Sequence, residues 1–325
     1  MARRKKGNPV HGWLILDKPY EMTSTTAVAV IKRLFEAQKA GHAGTLDPLA
    51  TGILPIALGE ATKTVSFAVD GEKAYRFTVR WGAQTTTDDT EGTVIATSDL
   101  RPTLPQIEAL LPLFIGQIAQ VPPQFSAIKI DGNRAYDLAR DGETVELEAR
   151  TVVIDRLAVV DMPDDATTVF EAECGKGTYV RALARDLGQK LGCFGHVIGL
   201  RRTRVGPFSE ADAVTLAEID ARLAPVAQAP ADPTSDVLTA VRRRDPAEIG
   251  LLLPVEAALS DIAEIMVSPS DAATLARGQA VLIRGRDAPI HAGLAYAICK
   301  GRIVAIGEIA QGTLQPTRVF NMGTA

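Results

Sequence analysis

The sequence predicts an α+β fold with two domains, a large N-terminal one and a small β-rich C-terminal one. The chain has 325 residues and is 46% apolar, which is enough for a substantial core and long enough for two domains. Segments with helical periodicity alternate with strand-like runs as far as residue 223. From about residue 262 only short β-like runs remain, at 281–283, 294–298 and 303–306, separated by glycine and polar turns.

The first hundred residues predict strands and helices in alternation. Residues 11–16 form a short apolar strand, and Thr23 or Ser24 caps a helix that Gly41 ends. Further elements follow, namely a buried strand at 53–58, a helix at 60–69 and an alternating strand at 73–81. In this last strand Tyr75 shares a face with large apolar residues, while arginine and threonine point the other way.

The middle of the chain continues the same pattern. It predicts a helix at 103–115, strands at 151–160 and 167–174, a helix after the turn at 175–177, and a strand at 197–205. Residues 121–140 are expected to project as an arm with a strand over 127–130 and a helix capped by Asn133. Thr215 and Glu218 form a capping box for another helix.

Composition changes after this helix. Residues 225–236 are rich in alanine and proline without periodicity, which indicates an exposed insertion. Apolar spacing returns at 249–259, and we expect this segment to pack back on the first domain.

Charge and cysteine usage exclude several classes of protein. Lys and Arg number 35 against 39 Asp and Glu, a net charge of −4, which argues against a uniformly basic nucleic-acid coat. Local basic groups remain at 3–6, at 201, 202 and 204, and at 242–244, and such groups can hold phosphates. Three separated cysteines and four scattered histidines suggest neither disulfides nor a metal site. No apolar run has membrane-spanning length and no secretion signal is visible, so we expect a cytoplasmic protein.

The stretch most suggestive of chemistry is residues 41–63, GHAGTLDPLATGILPIALGEATK. It places one carboxylate, Asp47, among glycines and other small residues, so a planar ligand can reach it from an open side. Residue types alone favour a different interpretation, in which Asp47 is a helix N-cap, Pro48 follows at the first helical position and Gly52 closes a single turn. Asp47 as a nucleophile is the second interpretation.

The same stretch resembles the signature of the TruB-type tRNA pseudouridine synthases, and the resemblance reverses that order. Further family segments follow in the family's order: LDKP, KAYRF, TTTDDTEG, PPQFSAIK, GKGTYVRALARDLG and GHVIGLRRT. The similarity is continuous over about residues 11–223 and weaker beyond. It implies a catalytic domain at 1–260, with a central mixed, largely antiparallel sheet flanked by helices and an exposed insertion or linker at 225–248. A PUA-like RNA-binding domain is implied at 261–325.

The function implied by the resemblance is the isomerisation of uridine 55 in the T loop of tRNA to pseudouridine. The uridine is flipped out of the RNA, and Asp47 is the nucleophile. Uracil leaves the sugar at N1, turns over and rejoins through C5, so no cofactor and no metal is required. The partner is the T arm of tRNA, no membrane is involved, and we expect a monomer.

Site residues are implied by the same motifs. Arg181 pairs with Asp47, Tyr75 stacks on the flipped base, Leu200 adds apolar contact, and Tyr179 places a hydroxyl near the base or a phosphate. His42 fills the gap that the flipped base leaves. The positions that line the RNA face or the site are Lys18, Lys63, Asp89 and Lys129.

Residue types alone give less specific alternatives. Arg181 would be a surface helix charge, Tyr75 a core aromatic, His42 a structural hydrogen-bonding group and each lysine a solvated side chain. Phe125 stands where the family commonly has tyrosine, so a polar role at that position is in doubt.

Two other functions remain open from the sequence. One is a non-catalytic tRNA-binding or tRNA-folding protein, which would share the basic groups and the β-rich C-terminal part. The other is a hydrolase with an aspartate nucleophile, for which Asp88 and Asp89 are the nearby acidic pair. A kinase or NTPase is unsupported, because Phe170 stands where a P-loop before Gly175 requires glycine.

Overall fold

The computed structural model describes residues 7–125, 129–130, 133–134, 147–224, 249–283 and 292–322. The strands of the N-terminal part are β1 (Gly12–Lys18), β2 (Ala40–His42), β3 (Ala50–Leu58), β4 (Lys73–Trp81), β5 (Ala83–Thr85), β6 (Val94–Thr97), β7 (Gly116–Gln120), β8 (Lys129–Ile130), β9 (Asn133–Arg134), β10 (Arg150–Asp164), β11 (Thr167–Cys174), β12 (Gly195–Val205) and β13 (Phe208–Ser209). The C-terminal strands are β14 (Ala263–Met266), β15 (Val281–Leu282), β16 (Gly293–Cys299), β17 (Arg302–Ala310) and β18 (Thr313–Val319). The helices are α1 (Ser24–Leu34), α2 (Val65–Asp70), α3 (Leu104–Leu110), α4 (Val180–Lys190), α5 (Leu216–Leu223) and α6 (Pro269–Ala276).

One large sheet organises the N-terminal part. Within the described ranges it has nine strands, seven of them in the order β1-β3-β12-β4-β11-β10-β7, with β2 on β3 and β13 on β12. Every pair is antiparallel except β12 with β3, which runs parallel where residues 200–202 meet residues 50–52. The mixed, largely antiparallel sheet and the α+β class are therefore confirmed.

Helices cover this sheet and bury its apolar side chains. Phe77, Val79 and Trp81 of β4 are almost fully buried, in one cluster with residues of α3 and α4. A second cluster packs α1 and α5 against β1 and β3. The alternation predicted for residues 73–81 is confirmed, because the buried residues recur at every second position.

A second sheet forms the β-rich C-terminal part, as predicted. Its order is β14-β16-β17-β18-β15, and α6 packs on it. A shared apolar cluster joins it to the N-terminal part, because Trp13 and Phe208 lie in the same cluster as Tyr296 and Phe320. The sequence did not signal α6, whose N-cap is the side chain of Ser268.

Three predicted helices are shorter or divided. α1 ends at Leu34 rather than at Gly41, because Glu36 adopts φ of 49° and the chain turns to join β3 as β2. The helix expected at 60–69 is a 3-10 helix over Gly59–Lys63 followed by α2. The helix expected at 103–115 ends at Leu110 and continues as a 3-10 turn over Leu111–Phe114, because Pro112 supplies no amide for a further α-helical bond.

Other expectations about local structure are confirmed. Thr215 and Glu218 form the capping box of α5. Residues 249–259 return to the first domain, where Leu253 pairs with Trp13 through two main-chain hydrogen bonds of 2.8 Å. The prediction that Asn133 caps a helix is wrong, because Asn133 and Arg134 form β9, which pairs with β8. Two further predictions lie outside the described residues, namely the insertion at 225–236 and the basic groups at 3–6 and 242–244. No helix in the described part of the chain has the length and apolar character needed to span a bilayer.

Candidate functional site

Asp47 lies in a tight turn between β2 and β3. Its carbonyl oxygen accepts a hydrogen bond of 3.1 Å from the amide of Ala50, where β3 begins, so no helix starts at Pro48. The N-cap interpretation is therefore wrong. Gly52 lies within β3 with φ of +97°, and a Cβ there would stand 2.2 Å from the carbonyl oxygen of Arg202. Glycine is needed at this position because the main chain of β12 approaches β3 too closely for a side chain.

The carboxylate of Asp47 forms an ion pair with Arg181, in the first turn of α4. Arg181 Nε lies 3.0 Å from Asp47 Oδ2, and Arg181 Nη1 lies 3.4 Å from Asp89 Oδ2. The same guanidinium donates to the carbonyl oxygens of Thr87 and Phe125 at 2.9 and 3.0 Å. Only 8% of the Arg181 side chain is exposed, so the interpretation as a surface helix charge is wrong.

A second ion pair lies one helical turn further along α4. Arg185 Nη1 is 3.1 Å from Asp88 Oδ2, and both side chains are largely buried. Burial raises the pKa of the Asp88 carboxyl to about 6, although the charge of Arg185 opposes this. Asp88 and Asp89, on the loop after β5, therefore form adjacent ion pairs, Asp88 with Arg185 and Asp89 with Arg181.

A shallow, open cleft lies beside the Asp47–Arg181 pair. Its lining combines charged and polar side chains with apolar ones, and the lining residues are Asp47, Leu49, Ala50, Asp89, Thr90, Arg181, Val197, Ile198, Gly199 and Leu200. Leu200 faces Ala50 across one strand pair and Phe77 across the other.

Tyr75 lies on β4 directly opposite Arg202 of β12. Its ring is partly buried against the cluster that contains Phe77. Burial raises the pKa of the Tyr75 phenol, and the Arg202 charge opposes the shift while the Asp47 charge adds to it. The ring is therefore both a core aromatic and a neighbour of the charged groups around Asp47.

Lys18, the last residue of β1, is buried beside the Asp47 loop and is not solvated. Its ammonium donates to the carbonyl oxygens of Pro19, Met22 and Pro48, at 2.8, 2.8 and 3.2 Å. Burial lowers its pKa to about 8. The solvated interpretation is wrong here, and the contact with Pro48 ties Lys18 to the residue that follows Asp47.

His42 ends β2 and lies opposite Ile56 of β3. Its Nδ1 atom is buried and has no hydrogen-bond partner among the described residues. Burial, followed by the charge of Arg202, lowers the pKa of this imidazole. An interaction with the main chain of Gly44 opposes this shift of the His42 pKa.

The other predicted positions lie at the edges of the site or away from it. Lys63 pairs with Glu60 at 2.6 Å and donates to the carbonyl oxygen of Val319 at 2.7 Å, so it joins the two sheets. Tyr179 precedes α4, and its main chain bonds the Gln120 side chain at 2.8 and 3.2 Å. The backbone of Lys129 lies in β8, and its side chain is outside the described residues. Phe125 contributes its main-chain oxygen to Arg181.

Sequence reasoning missed two residues that hold the loop. Arg202, only 1% exposed, donates to the carbonyl oxygens of Ile53, Thr45 and Gly44 at 2.8, 3.1 and 3.1 Å. Ser24 bonds the main chain of Leu46. A run of arginines signalled only charge, and a serine beside a threonine signalled only a cap.

The basic group at 201–204 is not a free phosphate-binding patch. Arg201 pairs with Asp17 and Glu210, and Arg204 pairs with Glu72 and Glu173. Acidic partners therefore compensate these charges within the protein. Within the described ranges, no cluster of three or more His, Cys, Asp or Glu side chains is arranged to hold a metal ion.

Comparisons with known proteins identify the family. The profile described as TruB family pseudouridylate synthase (N terminal domain) matches residues 32–180, and the profile described as tRNA pseudouridylate synthase B C-terminal domain matches 181–260. Proteins named tRNA pseudouridine synthase B are similar over nearly their full lengths. That of Bradyrhizobium diazoefficiens is 57% identical over 99% of this chain and 91% of its own, and that of Brucella melitensis is 55% identical over 99% and 100%.

Solved structures agree on the fold. A crystal structure of a Cbf5-Nop10-Gar1 complex contains a chain that matches with a TM-score of 0.67 and 23% identity, over 98% of this chain and 90% of the other. A crystal structure of the archaeal box H/ACA sRNP Nop10-Cbf5 complex gives 0.66 and 24%, over 98% and 91%. The fold and the family profiles lead to one conclusion: the chain belongs to the TruB family of pseudouridylate synthases and is an isomerase.

Proposed function

We propose that this protein converts uridine 55 in the T loop of tRNA to pseudouridine, with Asp47 as the nucleophile. The observation that carries the proposal is the Asp47 carboxylate, which is ion-paired with buried Arg181 and lines an open cleft. The names of the relatives support tRNA as the substrate. The choice of uridine 55 rests on the motif resemblance described above.

The reaction breaks the N1–C1′ bond of uridine and forms a C5–C1′ bond after the base has turned over. The proton initially on C5 is released and N1 takes up a proton from solvent, so the product is an isomer of the substrate and no second substrate is needed. Asp47 presents an anionic oxygen to the cleft, and this oxygen attacks either C1′ of the sugar or C6 of the ring. Arg181 holds the other oxygen and fixes the direction of the carboxylate.

Reaching a uridine in a folded tRNA loop requires its extrusion, at a cost of roughly a few kcal/mol. The apolar part of the cleft lining, which contains Leu200, receives the flipped base, and stacking on Tyr75 offsets part of this cost, roughly 1–3 kcal/mol. His42 fills the space that the base leaves in the RNA. Asp89 acts through Arg181, because it contacts the same guanidinium as Asp47 does.

The remaining positions contribute to RNA binding in this proposal. Tyr179 and Lys129 contact the RNA beside the cleft, Lys63 contacts it where the two sheets meet, and Lys18 supports the loop. Residues 1–260 form the catalytic domain, and 261–325 form a PUA-like domain that binds the T arm. The monomeric state and the cytoplasmic location stay predictions from sequence.

The proposal is tested with Asp47→Asn in the full-length protein. Tritium release from tRNA labelled at C5 of uridine should be abolished, while tRNA binding is retained, because the amide keeps the shape but not the charge. Asp70→Asn is the matched control, since Asp70 is an exposed partner of Lys176 away from the cleft. Normal turnover by Asp47→Asn would overturn the proposal.

The competing hypothesis is a tRNA-binding protein without an essential reaction. It predicts that Asp47→Asn fully restores tRNA function in cells that lack the wild-type gene. Mapping of pseudouridine in tRNA after incubation with the wild-type protein separates the two hypotheses. A product at a single T-loop position supports catalysis at uridine 55, and a product elsewhere overturns that assignment.

A further inference from the structure

Ser24, the first residue of α1, forms hydrogen bonds with the main chain beside Asp47. Its side-chain oxygen donates to the carbonyl oxygen of Leu46 and accepts from the amide of Leu46, both at 2.9 Å. Ser24 is 4% exposed, so these bonds do not compete with bulk water. One hydroxyl therefore fixes the two peptide planes that flank Leu46, and the second of these planes leads into Asp47.

This hydroxyl has no role in capping its own helix. The N-cap of α1 is Thr23, whose side chain accepts from the amide of Thr26 at 3.0 Å. Serine at the start of a helix usually satisfies the free amides of the first turn. Here the neighbouring threonine satisfies one of them, which leaves Ser24 free to bond another part of the chain.

Side chains from three separate elements hold the loop on both sides of Asp47. Arg202 of β12 bonds the carbonyl oxygens of Gly44 and Thr45, Ser24 of α1 bonds Leu46, and Lys18 of β1 bonds Pro48. The three together leave the Asp47 side chain to Arg181 and the cleft. Of the three tethers, Ser24 is the only one that bonds both the amide and the carbonyl of a loop residue, among the bonds the structure describes.

We propose that Ser24 is a positioning residue that aims the Asp47 carboxylate at the reacting nucleotide, an inference that rests on the proposed role of Asp47. Without the hydroxyl, the peptide between Leu46 and Asp47 is free to rotate, and the carboxylate moves relative to the cleft. A displacement of about 1 Å at a reacting group can cost roughly 100-fold in rate. Substrate affinity depends on other contacts and is unaffected.

The first test compares Ser24→Ala with Thr23→Ala in single-turnover reactions on tRNA. Both changes remove a hydroxyl from the start of the same helix, but only Ser24 bonds the Asp47 loop. We expect Ser24→Ala to lower the rate constant roughly 10- to 100-fold with an unchanged Kd for tRNA. Thr23→Ala should lower the melting temperature and keep the wild-type rate constant. Equal rate constants for the two variants would overturn the proposal.

The second test separates the hydroxyl from side-chain volume. Ser24→Thr and Ser24→Val add the same bulk at the same buried site, and only threonine retains the oxygen. Threonine should therefore keep most of the rate constant that valine loses, and equal loss in both would refute positioning by the hydroxyl. Failure of the proposed function is recognised separately, since it requires that Asp47→Asn remain active whatever the Ser24 variants do.

Discussion

Arg181 Nε lies 3.0 Å from Asp47 Oδ2, but the arginine side chain is 8% exposed and the aspartate side chain 39%. The cation is thus inside the protein, and part of the anion faces the cleft. Two carbonyl oxygens and a second carboxylate compensate the buried charge of the arginine. This asymmetry leaves part of the carboxylate accessible from the cleft, as the proposed nucleophilic role of Asp47 requires.

Replacement of Arg181 by lysine should lower kcat/KM strongly. The single ammonium of lysine cannot contact Asp47, Asp89 and the two carbonyl oxygens together, so the Asp47 carboxylate loses its fixed direction. We expect a loss of roughly 100-fold or more in tritium release, with tRNA affinity nearly retained. Arg185→Lys, one turn away on α4, is the matched control and should lose less. Equal losses of kcat/KM in the two variants would contradict the prediction that Arg181 orients the Asp47 carboxylate.

Local signals in the sequence predicted most of the strands but not the environment of the charged residues. The periodicity of residues 73–81 gave the bounds of β4, because strand alternation is a property of neighbouring residues. Residue type alone favours a solvated Lys18 and an Arg202 in a phosphate-binding group, since both residue types are usually exposed. Their partners include main-chain oxygens of the Asp47 loop, which is distant in sequence from both residues, and no local pattern predicts such bonds.

Pro48 shows the same limit at the loop itself. The Asp-Pro pair is typical of a helix start, and nothing in the neighbouring residues opposes that interpretation. The tertiary tethers from Lys18, Ser24 and Arg202 hold the segment as a turn that enters β3. Long-range hydrogen bonds therefore override the local preference.

Lys18 should make stability depend on alkaline pH. Its pKa in the folded protein is about 8, below the value of about 10.4 for an unperturbed lysine. Between these values the unfolded chain binds more protons than the folded one, so the contribution of Lys18 to the free energy of unfolding rises with pH. In urea unfolding, wild type should gain about 2 kcal/mol of stability relative to Lys18→Met as the pH rises from roughly 8 to 10.4.

The control for this measurement is Lys32→Met, at an exposed position of α1. Its stability relative to wild type should stay constant over the same pH range. A constant difference for Lys18→Met as well would mean that Lys18 retains an ordinary pKa in the folded protein. Such a result would contradict the buried, three-acceptor environment described above.

Lys63→Met should loosen the attachment of the C-terminal sheet. The variant loses the ion pair with Glu60, the hydrogen bond to the carbonyl oxygen of Val319 and the cation–π contact with the Phe320 ring. Hydrogen exchange should accelerate in β18 and remain unchanged in β4, which lies in the other sheet. Lys176→Met, which removes an exposed pair with Asp70, is the control. Unchanged exchange in β18 would assign Lys63 to RNA contact alone.

The bonds from Arg202 to Gly44 and Thr45 have a consequence for synthesis of the protein. Asp47 emerges early from the ribosome, but its loop gains two of its tethers only when β12 has been translated and has closed beside β3. Closing so long a stretch of chain is a late and slow event in folding. A nascent chain that stops before β12 is therefore expected to be inert toward RNA, and no truncated product should compete with the finished enzyme.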